Sequence, residues 1–297
     1  MHKFAIFSDS SCDLSRELLD LHGISLVHYY VTLDAGINYL KEYQDIEPKE
    51  FYRRLEELKG VAPKTSLPPI QDYIDAFKPA MEAGEDILCL CLTQKFSGSY
   101  QSAHNAAEML KEEFPDRTVR VVDTKNCSTG QGLAVLEAAR MKADGFSLEE
   151  TAKILKLQAE EARIMITVDN LDYLQRGGRI GKVTAFAGAL LNIKPVISMT
   201  NGELVPISRI RGRQKAIAEV AELAAKDLAS NESKYHVAYL HSNCPEDLVI
   251  LRAEVEKRTN VNPLVPVGVI GVTIGTHIGP TAVAFAYTPK YECFLEK

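Results

Sequence analysis

The stretch DILCLCLTQKFSGSYQSAHNAAEML, residues 86–110, decides the fold class. After its first aspartate, six apolar residues follow one another, which is typical of a strand that is covered on both faces. A Ser-Gly-Ser turn at residues 97–99 comes next, and the stretch then continues as an amphipathic helix. A buried strand that leads into a helix is the repeating unit of a parallel sheet between helices, so we predict an α/β fold.

The rest of the first half repeats this alternation of strands and helices. Further strands are predicted for KFAIFSDS, ISLVHYYVTL and VRVVDT, which are residues 3–10, 24–33 and 119–124. Helices are predicted at 13–23, 47–60, 71–84, 130–145 and 147–162, and the second of them carries Phe51, Leu55 and Leu58 at the spacing of one helical face. Ser147 and Glu150 form a capping box at the start of the last helix. These elements predict an N-terminal three-layer α/β/α domain with a parallel sheet, residues 1–162.

The pattern changes after Ala162. IKPVISMTNGELVPISRI, residues 193–210, predicts a hairpin around Asn201-Gly202, because Asn-Gly is the strongest short hairpin signal. VGVIGVTIGTHIGPTAVAFAYTP, residues 267–289, is interpreted as two strands around a Gly-His-Gly loop. A hairpin combined with αβ units predicts a mixed sheet with helices on one face. We therefore expect a C-terminal two-layer α/β domain at residues 163–297, with a ligand held between the two domains.

Composition and charge exclude several classes of protein. The chain has 297 residues, of which 46% are hydrophobic and 25% charged, and a net charge of -6. An acidic protein is poorly suited to nucleic acid, and no apolar run is long enough to insert stably in a membrane. The first residues resemble a strand and not a signal peptide, so a cytoplasmic protein is expected. The six cysteines are scattered without metal-ligand spacing, so no metal site is expected.

Polar turns follow several of the predicted strands. In an open parallel sheet, ligands bind beyond the carboxyl ends of the strands, where helix N-termini favour an anion. KTSLPP places Thr65 and Ser66 at one such turn, and KFSGS places Ser97 and Gly98 at another. Gly98 would let a ligand oxygen approach the backbone closely. After the first strand, Asp9 is better interpreted as a helix N-cap, since aspartate is preferred there.

Basic residues and one histidine stand out in the second half. The glycines of GTHIGP leave His277 uncrowded, although a turn that uses glycines for positive φ explains the pattern as well. Two basic clusters, QRGGRIGK and SRIRGRQK, contain Arg176, Arg179, Lys182, Arg209, Arg211, Arg213 and Lys215. In an acidic protein, such clusters favour a local docking face for an acidic or phosphate-bearing partner.

Taken together, these motifs resemble the DegV family. The matching stretches occur in order along nearly the whole chain and are DSSCDL, KTSLPP, FSGSYQSA, VDTKNCSTGQG, LDYLQRGGRIGK, LLNIKPVI, RIRGRQKA and GTHIGP. Each motif is weak alone, but eight in register are specific. The resemblance implies a two-domain DegV-like fold that holds one long-chain fatty acid, such as palmitate, stearate or oleate, without a cofactor or metal.

The resemblance also implies roles for individual residues. The fatty acid carboxylate would be bound by Thr65, Ser97 and His277, with Ser66 and Arg179 close to the ligand. Arg211 matches a position that engages a separate ATP-binding fatty acid kinase subunit, to which the carboxylate would be presented for phosphorylation. The protein itself would then carry out no chemistry.

An apolar slot for the acyl chain is expected in KVTAFAGALLNI, residues 182–193, where small residues alternate with Phe186, Leu190 and Leu191. The same alternation is also typical of a tightly packed helix, and the sequence does not separate the two interpretations.

A serine hydrolase is the alternative from another class. Ser97, His277 and Asp9 supply the residue types of a catalytic triad. However, KFSGS lacks the G-x-S-x-G elbow that usually presents the nucleophile above a parallel sheet. An ATP-binding kinase is also disfavoured, because no G-x-x-x-x-G-K-[ST] phosphate loop occurs.

Overall fold

The computed structural model of the protein describes residues 3–34, 36–58, 62–186, 192–229 and 231–295. The elements of the first half are β1 (Phe4–Asp9), α1 (Arg16–His22), β2 (Ile24–Val27), β3 (Tyr30–Thr32), β4 (Leu40–Lys41), α2 (Pro48–Glu57), β5 (Lys64–Ser66), α3 (Ile70–Glu82), β6 (Asp86–Cys91), α4 (Ser99–Glu113), β7 (Val119–Asp123), α5 (Ser128–Ala143) and α6 (Leu148–Glu161). Those of the second half are β8 (Arg163–Thr167), α7 (Asp172–Arg176), β9 (Ile193–Thr200), β10 (Glu203–Arg211), α8 (Arg213–Leu228), β11 (Tyr235–His241), α9 (Pro245–Glu256), β12 (Val265–Val269), α10 (Val272–Ile278) and β13 (Val283–Pro289).

The first sheet is parallel. Within the described residues it has four strands in the order β2-β1-β6-β7. Every residue of β6 is buried. Cys89 and Cys91 pack with α3 and α4, whereas Leu88 and Leu90 pack with α5 on the opposite face. The interpretation of DILCLCL as a strand covered on both faces is confirmed.

The second sheet is mixed. Its six described strands lie in the order β10-β9-β8-β13-β11-β12, and all neighbours are antiparallel except β11 and β12. The predicted hairpin is confirmed, since β9 and β10 are joined at Asn201 and Gly202, whose φ angles are 51° and 80°. Positive φ at both positions is what a tight two-residue hairpin turn requires. Helices α8 and α9 cover the outer face of this sheet.

Helix α5 lies between the two sheets and is buried around almost its whole circumference. A helix that is covered on all sides needs no polar face, which explains why its sequence shows no amphipathic stripe. Its close approach to the loop after β1 depends on Gly132, where a Cβ would lie 2.7 Å from the Cys12 carbonyl oxygen. The mixed sheet begins at Arg163, but α5 packs against both sheets, so the division at Ala162 into two domains stays a prediction.

The predicted strand at residues 24–33 is wrong as a single element. It divides into β2 of the parallel sheet and β3 of a separate three-stranded sheet with the order β4-β3-β5. At Tyr29 the backbone leaves the first sheet, because its N–H bonds Ser10 Oγ at 2.9 Å and its carbonyl accepts from the Glu42 N–H at 2.9 Å. Thr65 consequently lies in β5, opposite Val31 of β3, and not in a loop before a helix.

The predicted loop around His277 is also wrong, because GVTIGTHIG forms α10. The glycines at four-residue spacing lie where neighbouring groups approach the helix most closely. A Cβ at Gly275 would lie 2.5 Å from the Tyr52 hydroxyl, and one at Gly279 would lie 2.4 Å from the Tyr173 ring. Gly279 has φ of +83° and ends the helix directly after the turn that carries His277. The glycines therefore serve helix packing and helix termination instead of an open loop.

None of the helices in the described part of the chain is long and apolar enough to cross a membrane. The same residues contain no group of three or more His, Cys, Asp and Glu side chains arranged to hold a metal ion. All six cysteines are free thiols.

Candidate functional site

A cavity of about 250 Å³ lies between the start of α5, the inner face of the mixed sheet and α10. The six residues that the sequence analysis assigned to the ligand all line it, namely Thr65, Ser66, Ser97, Gly98, Arg179 and His277. An engineered cavity of roughly 150 Å³ already binds benzene. The structure thus brings the predicted residues from both halves of the chain together around a space large enough for an organic ligand.

The mixed sheet supplies an apolar floor for this cavity. Its adjacent strands contribute Leu204, Met199, Ile164, Ile166, Ala284 and Leu240. Leu67 and Phe96 from the first half and Ile274 from α10 are among the other apolar residues of the lining. Thr65, Ser97 and His277 form what we call its polar end, and Ser128 and Thr273 are further polar residues of the lining. The cavity therefore combines a polar end with a mostly apolar wall.

Thr65 and His277 are hydrogen-bonded to each other at this polar end. The distance between Thr65 Oγ1 and His277 Nε2 is 2.8 Å. Thr65 is held by β5 and His277 by the last turn of α10, and these two elements are packed against each other. The contact directly links a residue of the first half to one of the second half.

The imidazole of His277 is packed against the backbone of Gly177. A Cβ at Gly177 would lie only 2.2 Å from His277 Nδ1, so only glycine leaves room for the ring in this position. Burial, and secondarily the charge of Arg179, lowers the pKa of His277 from 6.5 to about 4. His277 is therefore neutral at neutral pH in the ligand-free protein.

The tautomer of this neutral ring follows from its contacts. Nδ1 is buried and has no hydrogen-bond partner among the described residues. A proton on Nδ1 would be a buried donor without an acceptor, which is rare in folded proteins. We therefore assign the proton to Nε2, which donates to Thr65 Oγ1. This leaves the Thr65 hydroxyl proton available to a ligand in the cavity.

Ser97 is held in a comparable way. Its Oγ accepts a hydrogen bond from the Tyr29 hydroxyl at 2.7 Å and another from the Ser99 N–H at 3.2 Å. The Ser99 N–H belongs to the first turn of α4, which begins at Ser99. Gly98 is exposed beside it, and a Cβ there would be in tight contact with Leu67 at 3.3 Å.

Arg179 lies at the edge of the cavity and is exposed to solvent. Its Nε donates to the Phe96 carbonyl at 3.0 Å, and its Nη1 donates to the Gly177 carbonyl at 2.8 Å. Arg179 thus bridges a loop of the first half and a loop of the second half beside the polar end. Arg179 lines the same cavity as Thr65, Ser97 and His277, and its role near a ligand stays a prediction.

Asp9 has a different role from both of its predicted ones. Its side chain makes no N-cap hydrogen bond to the short helix that follows it. The carboxylate accepts instead from the Leu92 N–H at 2.9 Å, from Ser99 Oγ at 2.7 Å and from Gln131 Nε2 at 2.8 Å. It thereby fastens the end of β6 and the start of α4, where the turn that carries Ser97 is located.

The serine hydrolase hypothesis is not supported by these contacts. The Asp9 carboxylate forms no hydrogen bond with His277 or with Ser97. His277 Nε2 is bonded to Thr65 and not to Ser97. The three side chains do not form the relay of nucleophile, base and carboxylate that a triad requires.

The basic clusters divide into paired and exposed residues. Arg213 is held by Asp247 at 2.7 Å, and Lys182 pairs with Glu203 at 2.7 Å. Arg211, the predicted docking residue, is exposed at the end of β10. The predicted acyl-chain wall at 182–193 is described only in part, as residues 187–191 lie outside the described residues.

The residues that hold α10 in place were not indicated by any sequence motif. Glu42 is fully buried and accepts hydrogen bonds from the Thr273 N–H and hydroxyl, both at 2.8 Å, and from Ser10 Oγ at 2.6 Å. Burial raises the pKa of Glu42 to about 7, and burial together with Glu42 raises that of the neighbouring Asp13. A glutamate in an irregular loop carries no pattern that would have indicated this role.

Comparisons with known proteins agree with the architecture. Residues 3–290 match the family model described as "Uncharacterised protein, DegV family". A DegV domain-containing protein of Clostridium perfringens is 34% identical over 290 residues, which are 96% of this chain and 98% of that protein.

Solved structures are similar over the same extent. The crystal structure of a stearic acid-binding protein from Eubacterium ventriosum has a TM-score of 0.91 at 36% identity and covers 98% of this chain and 99% of its own. A fatty-acid-binding DegV family protein from Thermus thermophilus has a TM-score of 0.88 at 32% identity and covers 97% and 100%, respectively. The four-stranded parallel sheet and the separate mixed sheet are thus the arrangement of these structures.

Proposed function

The chain belongs to the DegV family, and from that premise we propose that it binds one long-chain fatty acid, such as palmitate, stearate or oleate. The carboxylate would lie against Thr65, Ser97 and His277, and the acyl chain would lie on the apolar floor of the cavity. The observation that carries the proposal is the convergence of these three polar groups at one end of a mostly apolar cavity. Similar structures of fatty-acid-binding proteins, one of which binds stearic acid, support the same ligand class.

The polar end is suited to a carboxylate for a physical reason. A carboxylate only accepts hydrogen bonds, and its burial is unfavourable unless donors replace the lost water. Thr65 and Ser97 each have an O–H proton free for the ligand, because neighbouring groups already donate to their oxygens. Bonds from hydroxyls to an ionised carboxylate are charge-assisted and stronger than neutral ones. Two such donors, with Arg179 close by, provide binding without a buried lysine.

The acyl chain supplies most of the gross binding free energy. At ~0.8 kcal/mol for each buried methylene, fourteen methylenes would contribute roughly 11 kcal/mol. Loss of translational freedom and ordering of the flexible chain offset a large part of this gain. The head group therefore decides the orientation of the ligand, and the floor contributes most of the gross binding free energy.

We further propose that the protein presents this carboxylate to a separate ATP-binding fatty acid kinase subunit and catalyses no reaction itself. Ser66, Gly98 and Arg179 are exposed around the polar end, so a partner could reach the carboxylate from solvent. The exposed Arg211 provides a positive contact for such a partner. No cofactor is required in this scheme, and dependence on ATP fits a cytoplasmic location.

Titration of the lipid-free chain with palmitate tests the binding site. The Ser97→Ala and His277→Ala variants should each bind palmitate about 5- to 100-fold more weakly. Ser97→Ala removes a hydrogen-bond donor to the buried carboxylate, and His277→Ala removes the group that positions the Thr65 hydroxyl. Ser102→Ala is a matched control, since Ser102 is buried on α4 but does not line the cavity. Undiminished palmitate affinity in the double variant would show that the head-group assignment is wrong.

The presentation step has a separate test. The palmitate-loaded protein is mixed with a purified fatty acid kinase subunit and ATP, and release of ADP is followed. Arg211→Ala should slow ADP release at least tenfold and leave palmitate affinity unchanged, while Arg16→Ala, an exposed arginine on α1, should change neither. Equal rates for both variants and wild type would exclude Arg211 from docking.

A further inference from the structure

Tyr29 is a buried residue of the cavity wall that no sequence motif indicated. Its side chain is 2% exposed, and it lines the cavity beside Ser97. Its backbone is fixed from behind, because the N–H bonds Ser10 Oγ at 2.9 Å and Ser10 in turn donates to Glu42 at 2.6 Å. The phenol group is therefore held in one position relative to the polar end of the cavity.

The hydroxyl of Tyr29 determines what Ser97 can offer to a ligand. A serine hydroxyl can accept two hydrogen bonds and donate one. Both acceptor positions of Ser97 are used, one by Tyr29 at 2.7 Å and the other by the Ser99 N–H at 3.2 Å. Ser97 can therefore make one further hydrogen bond, in which its hydroxyl proton is donated to an acceptor in the cavity.

We propose that Tyr29 is a positioning residue that makes Ser97 act only as a donor and thereby selects a carboxylate head group over an alcohol of equal chain length. This inference rests on the proposed function. A carboxylate accepts at every lone pair and therefore matches a donor. An alcohol brings a proton of its own, and at Ser97 that proton meets an oxygen whose acceptor positions are occupied. The preference for the acid thus arises because the complex with an alcohol leaves the alcohol proton without a hydrogen-bond acceptor at Ser97.

Tyr73 provides a matched control within the same region. It is fully buried, and its hydroxyl lies 2.6 Å from Ser99 Oγ, which donates to Asp9 at 2.7 Å. Tyr73 does not line the cavity and makes no bond to Ser97 Oγ. Removal of its hydroxyl perturbs the same buried network without changing the acceptor positions of Ser97.

The test compares dodecanoate with 1-dodecanol by calorimetric titration of the lipid-free, full-length protein. Wild type should prefer the acid. Tyr29→Phe should reduce the ratio of acid to alcohol affinity about tenfold, because Ser97 regains an acceptor position and its proton is no longer directed. Tyr73→Phe should leave the ratio within about twofold of wild type. A general loss of folded protein lowers the binding of both ligands equally, so the ratio of the two affinities depends only on the head group.

A double-mutant cycle with Ser97→Ala completes the test. If Tyr29 acts through Ser97, the double variant should lose no more acid affinity than Ser97→Ala loses alone. An unchanged ratio in Tyr29→Phe, or full additivity of the two losses, overturns the inference while palmitate binding still supports the proposed function. A wild-type protein that binds neither palmitate nor dodecanoate overturns the proposed function, and the inference with it.

Discussion

At the polar end of the cavity, the protonation of one imidazole decides what the neighbouring hydroxyl can do. Neutral His277, with its proton on Nε2, donates to Thr65 and leaves the Thr65 proton to the ligand. The low pKa of about 4 has burial as its main cause and the charge of Arg179 as its second. The close contact with Gly177 keeps the ring in this environment.

This low pKa predicts a dependence of stability on pH. As pH falls from about 6.5 towards about 4, the unfolded chain binds a proton at residue 277 and the folded chain does not, so folding stability is lost over that window. From pH 7 to pH 5, lipid-free wild type should lose about 1–2 kcal/mol more than His277→Gln. Urea unfolding at the two pH values measures the difference.

The control for this prediction is His104→Gln, because His104 is exposed on α4. That variant should follow the pH dependence of wild type. A His277→Gln variant with the same pH dependence as wild type would contradict a neutral, buried His277.

At the scale of elements, α10 is the part that positions His277. Its first N–H groups are directed at buried carboxylates, and Glu42 accepts from both the N–H and the hydroxyl of Thr273. A negative charge at a helix N-terminus is favourable, although α10 is short. Gly271 allows the approach, since a Cβ there would lie 2.2 Å from Asp13 Oδ1 and 2.8 Å from Glu42 Oε1.

This arrangement predicts a pH dependence of the opposite sign. The pKa of Glu42 is raised to about 7 by burial, so its contribution to stability is complete at low pH and is lost as pH rises through about 4.5 to 7. The stability advantage of wild type over Glu42→Gln should shrink by on the order of 1 kcal/mol between pH 5 and pH 7. Glu47→Gln, an exposed neighbour, is the control. An advantage that grows with pH would contradict the assignment.

Local patterns predicted the elements whose burial is uniform or whose turn chemistry is specific. The apolar residues of β6 and the Asn201-Gly202 turn are of this kind, and the capping box of Ser147 and Glu150 is present as predicted. The helix around His277 was missed because glycines at residues 271, 275 and 279 have low helix propensity. Tertiary packing against Tyr52 and Tyr173 outweighs that propensity.

The candidate site was predictable only where its residues lie in motifs. Thr65, Ser97 and His277 belong to stretches that resemble a family, and the structure brings all three to one cavity. Tyr29 and Glu42 belong to no such stretch. Their roles depend on contacts between residues that are more than thirty positions apart in the sequence, and such contacts leave no local pattern.

At the scale of the whole molecule, a buried charged cluster joins the central helix α5 to the mixed sheet and lies outside the cavity lining. Glu137 of α5 is fully buried and accepts from His236 of β11 at 2.9 Å, from the Tyr291 N–H at 2.7 Å and from Arg140. Burial alone would raise the pKa of Glu137, but its bonds with His236 and Arg140 lower it. The cluster fastens the central helix to the mixed sheet and to the end of the described chain.

Removal of this charge should destabilise the protein without altering its ligand site. Glu137→Gln is expected to reduce the free energy of unfolding by about 2 kcal/mol, because the charge-assisted hydrogen bonds that the buried carboxylate makes with His236 and Arg140 become weaker neutral ones. Palmitate affinity should stay at the wild-type value, since Glu137 does not line the cavity. Chemical unfolding and calorimetric titration measure the two quantities.

Glu149→Gln serves as the reference for this comparison. Glu149 forms an exposed ion pair with Arg120 at 2.6 Å, and loss of such a pair costs less than about 1 kcal/mol. Equal destabilisation by the two substitutions would mean that the buried cluster does not fasten α5 to the mixed sheet.

The central claim is that one fatty acid occupies the cavity with its carboxylate at the end formed by Thr65, Ser97 and His277. Mass spectrometry of an organic-solvent extract of the protein, purified without added lipid from a bacterial host, tests it most directly. We predict close to one long-chain fatty acid for each chain of wild type and a large reduction in the Ser97→Ala, His277→Ala double variant. An extract free of fatty acid, or an equal yield from the double variant, would contradict the claim.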